Sequence, residues 1–297
     1  MKILTDKLTE ARKQTDAAFI NAFSDLILPN NEVAQAAHYS FVGGGKALRP
    51  FLVFTIADLL GLEKQSALQI ALAVEMIHAY SLIHDDLPAM DNDNLRRGKP
   101  TCHIQFSEST AILTGDALLT KAFEVLADEK THKNATIRCQ LISLLSKNAG
   151  INGMIGGQVL DLTGEHKSLT QEEIYLMQRL KTGALLHFSC VAPAIAAQTD
   201  STLIHKLEEY AQAIGILFQI TDDLLDAEGD EKLVGKTLQK DKKSNKSTFV
   251  TLYGKENALS KAKKIHSDAI SLLTQNPILS QNDLLKTLTD FILIRKY

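Results

Sequence analysis

Apolar residues recur at helical spacing through nearly every segment of the chain, and no stretch of any length alternates cleanly between apolar and polar. That pattern excludes most architectures, because a half-buried strand needs a period of two and an amphipathic helix a period of 3.6. The breakers agree: 16 glycines and 6 prolines in 297 residues are too few for the turns of a many-stranded sheet protein. Helices are predicted over roughly 3–27, 31–42, 49–61, 65–87, 108–129, 134–150, 152–163, 171–198, 201–227, 247–274 and 280–294. Their ends carry ordinary stop signals, among them Pro29, the Gly43-Gly44-Gly45 run, Pro88, Gly98, Gly229 and Pro277. The longest candidate linker, KDKKSNK at Lys240–Lys246, is too short to separate domains. The prediction is one all-α domain over residues 1–297, an antiparallel bundle of about ten or more helices around a central substrate cavity.

Composition narrows the partners. With 45% hydrophobic and 23% charged residues the chain has material for a sizeable core, and a net charge of −3 gives no reason to expect nucleic acid or an anionic membrane surface. Cys102, Cys139 and Cys190 lie far apart with no CxxC, which points away from a zinc site or a disulfide framework and toward a reducing compartment. The N-terminus, MKILTDKLTEARKQTD, lacks the apolar centre of a signal peptide. The longest uncharged stretch, Thr182–Thr199, contains His187, Pro193 and Gln198 and is expected to be a buried helix rather than a membrane span. A cytoplasmic location is expected.

Chemistry concentrates between His78 and His103, HAYSLIHDDLPAMDNDNLRRGKPTCH. Asp85, Asp86, Asp91 and Asp93 fall within nine positions without an intervening base. Carboxylates this dense repel one another until protons or a divalent cation relieve them. Arg96 and Arg97 follow at once, a doublet suited to forked hydrogen bonds with phosphate. A second acid cluster, FQITDDLLD, lies at Phe218–Asp226.

Together with GGGKALRP, KTGALL and their order, these motifs resemble the trans-isoprenyl diphosphate synthases, most closely the bacterial farnesyl-forming branch, over nearly the whole chain. The resemblance implies that isopentenyl diphosphate is condensed with dimethylallyl and then geranyl diphosphate. Divalent metal draws charge from the allylic diphosphate, the C–O bond ionises, and the cation alkylates the isopentenyl double bond. A homodimer is the family's usual assembly. Departures from the family pattern are Ala47, Asn94 and Gln239, none of which removes a residue assigned to chemistry.

On the helix leading into the first cluster, His78, Ser81, Leu82 and Asp85 share one face over two turns. Pro88 bends the chain so that Asp91 can return toward Asp85. Asp85 and Asp91 are therefore expected to bind metal directly, with Asp86 behind them. In the second cluster Asp222 is the expected metal ligand and Asp226, one turn on, its partner through water. An all-oxygen donor set suits Mg²⁺ rather than Zn²⁺. The resemblance implies that Lys46, Arg49, His78 and Arg97 hold isopentenyl diphosphate without metal. It implies further that Arg96, Lys181, Lys236 and Lys246 reach the metal-bound allylic diphosphate. Gly183 inside a helical pattern marks a kink that, with Thr182 and Gln219, would aim negative dipole ends at a developing cation. Lys181, Thr182 and Gln219 are thus the expected catalytic set. No residue is an obvious strong base, so the departing pyrophosphate is expected to take the final proton. Closure of 233–246, and of the tail with Arg295 and Lys296, is expected to exclude water.

Tyr80 and Ser81 lie roughly 6–8 Å below Asp85 along the helix axis, where a tyrosine can close the floor of a cavity. In the resemblance an aromatic residue there goes with a C15 product, with the C20 geranylgeranyl synthase as the alternative. Other readings are weaker. A metal phosphohydrolase built on His84-Asp85 lacks further histidines at helical spacing, a non-catalytic partner subunit would be expected to lose part of one acid cluster, and a terpene cyclase has no need of a second diphosphate site.

Overall fold

The computed structural model describes residues 1–24, 30–167, 169–228 and 248–295. They form two compact units, one of residues 2–143 with 195–197, the other of residues 144–194 and 198–297 with Met1. In chain order the first carries α1 (Lys2–Ala22), α2 (Glu32–Phe41), α3 (Leu48–Leu59), α4 (Lys64–Asp85), the strands β1 (Leu95–Arg96) and β2 (Lys99–Pro100), α5 (Cys102–Gln105) and α6 (Glu108–Ala127). Then come α7 (Ala135–Ala149), α8 (Met154–Gly164), α9 (Gln171–Gln178), a π turn at Arg179–Gly183, α10 (Ala184–Ala196) and α11 (Ser201–Glu228). The chain continues through α12 (Phe249–Tyr253), α13 (Lys255–Gln275), a 3₁₀ turn at Leu279–Gln281 and α14 (Asp283–Ile294).

The all-α expectation holds, and α4 shows why. It is apolar around its whole circumference, with Ile70, Ala71, Leu72, Ala73, Val74, Met76 and Ile77 at most 1% exposed, so it can only be a core helix. By length and composition α4 could also cross a membrane, but 72% of its apolar window is buried inside the protein. Helices α1, α2, α3 and α6 surround it. At its last turn His84 donates from Nε2 to the Ile112 carbonyl at 3.0 Å, and Gly115 makes room, since a Cβ there would lie 2.0 Å from the imidazole. His84 is thereby a half-buried histidine whose Nε2 is used in packing α4 against α6.

In the second unit α11 is the axis, packed by α9, α12, α13, α14 and the π turn. Tyr210, fully buried, donates to the Leu285 carbonyl or shares its hydroxyl with Thr289, tying α14 to α11. Gly215 faces Gly183 so closely that a Cβ would sit 3.2 Å from the Gly183 Cα.

Three expectations need correction. The helix predicted over 171–198 is broken by the π turn, where Gly183 relaxes the regular ladder, and it ends at Ala196. The helix predicted over 247–274 is two helices: Gly254, at φ +75°, ends α12 and starts α13, and Thr248 caps α12. A two-residue hairpin joins Leu95–Arg96 to Lys99–Pro100 through Arg97 (φ +53°) and Gly98 (φ +75°). Strands of two residues are too short to show a period.

Helix α8 reaches the π turn only because position 157 is glycine: a Cβ there would stand 2.1 Å from the Lys181 amide nitrogen. Gly157→Ala should therefore cost about 1–3 kcal/mol by overpacking, read as a lowered thermal midpoint. An unchanged midpoint would show that the approach of α8 is not close.

Candidate active site

The first acid cluster is shaped by the C-terminus of α4. After Asp86 the backbone folds back, with the Asp91 amide donating to the Asp85 carbonyl (2.9 Å) and the Asp93 amide to the Asp86 carbonyl (3.2 Å). Thr101 fastens the returning loop by donating its hydroxyl to the Asp93 carbonyl at 2.7 Å. The chain thus brings the backbone of Asp91 back to Asp85, as the Pro88 bend suggested. Asp86 does something different. It is 2% exposed and accepts a forked pair from Arg96, Nε at 2.8 Å and Nη2 at 2.6 Å. Burial opposes the Arg96 charge, but the bonds to Asp86, and then Asp85 and Asp91, raise its pKa above the ordinary value. Arg96 therefore joins the acid loop to the arginine turn.

Arg97 sits in the left-handed region at the tip of the hairpin. Its guanidinium lies on the glycine turn: a Cβ at Gly44 would be 2.1 Å from Nη1, and one at Gly45 2.6 Å from Nη2. The Gly43-Gly44-Gly45 run is needed both for its backbone, with φ +71° at Gly43 and +68° at Gly45, and for this close approach. Lys46 is exposed at the end of the turn, and Arg49 stands in the first turn of α3. The cleft beside them is lined by Ser40, Gly44, Glu75, His78, Arg96 and Arg97, among others. Burial lowers the Arg49 guanidinium from its usual range; Glu75 opposes that and Arg97 adds to it. Burial, and then Arg49, Arg97, Arg96 and Arg12, push His78 well below the ordinary histidine value. That direction favours the uncharged imidazole at His78.

Below the acid loop Tyr80 is 5% exposed and packs edge-on to His84 at 5.7 Å between ring centroids. Its hydroxyl has no hydrogen-bond partner, and burial, with Asp85 adding, pushes it up to about 12. Ser81 donates back to the His78 carbonyl at 2.9 Å.

The second unit arranges its own cluster on the π turn and α11. Lys181 pairs with Asp161 of α8, a buried carboxylate. Thr182 reaches Gln219 at 3.4 Å, and Gln219 donates to Asp223 at 3.0 Å. Asp223, also buried, accepts the Phe249 amide at 2.7 Å, so it anchors α12 rather than facing solvent. Asp222 is 44% exposed on its side chain and bonds Arg295 at 2.7 Å. Arg295 also donates to the Phe218 carbonyl and to Thr221, and lies 3.7 Å over the Phe218 ring. Burial lowers its pKa while Asp222 opposes the shift. Asp226 is half-buried one turn further along α11. Lys236, Gln239, Lys246 and Lys296 lie outside the described residues.

Sequence reasoning missed Asp161, Glu75, Arg12 and the separate role of Asp223. Asp161 had a signal in GGQVLD, whose glycines allow α8 to reach Lys181. Among the described residues no three Asp, Glu, His or Cys side chains form a closed metal cage. The donors that both clusters offer are carboxylate oxygens, a fit for Mg²⁺, which keeps waters and takes its remaining ligands from a substrate phosphate.

Because the fold holds the His78 pKa well below its ordinary value, the folded chain takes up a proton there less readily than the unfolded chain does. Protonation then favours the unfolded chain, so this group's contribution is complete above about pH 6.5 and is lost as pH falls below it. Thermal unfolding from about pH 8 to about pH 5 should show wild type losing stability relative to His78→Gln on the acid side. A difference independent of pH would mean that His78 titrates normally.

The polyprenyl synthetase family model matches residues 30–282. The farnesyl diphosphate synthase of Haemophilus influenzae is 43% identical over 295 residues, covering 98% of each chain. That of Micrococcus luteus is 43% identical over 303 residues, covering 99% of each. Among solved structures, an FPP/GFPP synthase from Zymomonas mobilis aligns over 99% of this chain and 100% of its own, with a TM-score of 0.88 and 37% identity.

Proposed function

The chain belongs to the polyprenyl synthetase family, and from that premise we propose that it is a farnesyl diphosphate synthase. It joins isopentenyl diphosphate to dimethylallyl and then geranyl diphosphate, and stops at C15. The observation that carries the site assignment is the separation of charge within α4 and its flanks. One face gathers Arg49, Arg97 and a neutral His78 beside a glycine turn, while the C-terminal end presents Asp85 and Asp91. The first set suits a diphosphate bound directly; the second suits one bound through metal.

In this reading Lys46, Arg49 and Arg97 hold the isopentenyl diphosphate and His78 donates to it. Asp85, Asp91 and Asp222 would hold Mg²⁺, which supplies charge neutralisation for the departing diphosphate. Arg96 and Lys181, with Lys236 and Lys246, bind that same diphosphate, and Asp86 and Asp161 keep Arg96 and Lys181 in place. Asp226 supports Asp222 through water. Thr182, Gln219 and the carbonyls loosened by the π turn present negative dipole ends to the allylic cation. Water is kept from the cation, and the pyrophosphate accepts the proton that restores a double bond. Tyr80 closes the floor of the prenyl cavity, with Ser81 beside it.

In this reading residues 1–297 are one isoprenoid-synthase domain, because the condensation calls on both acid clusters. We read the protein as a cytoplasmic homodimer. Ile104 of α5 and Ile112 and Leu113 of α6 support the dimer, being 51%, 45% and 55% exposed on two helices that pack together.

Purified protein given Mg²⁺, isopentenyl diphosphate and labelled dimethylallyl diphosphate should yield farnesyl diphosphate on chromatography. Asp85→Ala or Asp222→Ala should lower turnover at least about 100-fold, the scale of one lost electrostatic stabiliser. Normal turnover of either variant in limiting Mg²⁺ would remove the metal assignment, and a C20 product from wild type would remove the farnesyl reading.

Tyr80→Ala is expected to shift the product to C20 or longer while geranyl diphosphate still forms at the wild-type rate. A variant that stops at C15 would show that another residue forms the floor.

A further inference from the structure

Helix α1 sends two charged side chains into the arginine pocket from behind. Arg12 Nη1 donates to the Gly44 carbonyl and to Glu75 Oε1, both at 2.9 Å. Its Nη2 lies 2.5 Å from Asp16 Oδ1, an ion pair off the hydrogen-bond axis, and its guanidinium is 5.0 Å over the Phe41 ring. Asp16 Oδ2 accepts the Gly43 amide at 3.0 Å. The three charged side chains are 11%, 17% and 6% exposed, so the junction is nearly dry.

We propose that Arg12 and Asp16 are positioning residues for isopentenyl diphosphate: they fix the glycine turn on which Arg97 rests, and Arg12 keeps Glu75 from pairing with Arg97 or Arg49. This rests on the reading that the arginine pocket takes that substrate. A run of three glycines has more backbone freedom than any other tripeptide and is held in place only by what it bonds to. Here the bonds are to Asp16 at Gly43 and to Arg12 at Gly44. The guanidinium of Arg97 leaves no room for a methyl group at Gly44 or Gly45, so moving the turn moves Arg97.

Glu75 supplies the second half of the device. It is a buried carboxylate in the wall of the pocket, and it acts on Arg49 and Arg97 as well as on Arg12. A buried carboxylate that loses its partner seeks another. Without Arg12 it would turn to the arginines meant for the substrate.

The test is steady-state kinetics of Arg12→Ala, with each substrate varied in turn. The KM for isopentenyl diphosphate should rise about tenfold, the scale of one lost charge-assisted bond, while the KM for geranyl diphosphate stays within about twofold. Adding Glu75→Gln to Arg12→Ala removes the released carboxylate and should bring the isopentenyl KM back toward wild type. Because Glu75→Gln would also relieve the charge stranded in the fold, the discriminating readout is selectivity: damage to the fold raises both KM values, and loss of positioning raises the isopentenyl KM alone. Asp16→Ala, which frees only Gly43, should raise the same KM about threefold and serves if Arg12→Ala does not fold. Equal rises for both substrates, no rise, or no recovery in the double variant would overturn the proposal. Arg97→Ala separates the two layers. If it raises the isopentenyl KM and Arg12→Ala and Asp16→Ala do not, the positioning role fails alone. If Arg97→Ala has no effect either, the pocket reading falls and the positioning role with it.

Discussion

A buried charge must have a partner, and around the C-terminal half of α4 that rule decides where the side chains lie. Asp86 and Glu75 are both nearly without solvent exposure. An isolated carboxylate in such a place would be protonated or would unfold its surroundings. Each is instead given an arginine, Arg96 for Asp86 and Arg12 for Glu75. These two pairs fix the hairpin and the glycine turn, and so fix the seat of Arg97. Removing one partner would leave the other charge stranded, so the pairs specify geometry more than they add stability.

Two kinds of diphosphate site follow from how the remaining charge is distributed. On the proposed reading, Arg49 and Arg97 form a cationic pocket beside which His78 is neutral, so the pocket needs no metal to accept an anion. The acid loop is the reverse case. Asp85 and Asp91 cannot meet a diphosphate without a cation between them, and the same holds for Asp222 in the second unit. Arg295 lies on Asp222 in this structure, an internal cation at a carboxylate assigned to metal.

Much of this was legible in the chain because it depends on local signals. The buried helix α4 announces itself by being apolar on every side, the glycine run by its need for positive φ, and the π turn by Gly183 in an otherwise helical stretch. The return of Asp91 to Asp85 follows from Pro88. What stayed hidden depends on pairing across distance. Arg12 and Glu75 are separated by 63 positions, and nothing in the pattern of α1 marks Arg12 among its other charges. The split of the Asp222-Asp223 pair into one exposed and one buried role is set by the Phe249 amide, which no helical wheel of α11 includes. The hairpin and the Gly254 break were missed because two-residue strands have no period and a lone glycine has several uses.

The central claim is that one diphosphate is held by cations and the other by metal. Calorimetric titration of the wild-type protein in the presence of excess chelator tests it directly. Isopentenyl diphosphate should bind with an affinity that added Mg²⁺ changes little, and a non-ionisable analogue of geranyl diphosphate should bind only after Mg²⁺ is restored. Equal dependence of both ligands on Mg²⁺, or binding of the geranyl analogue without it, would contradict the account.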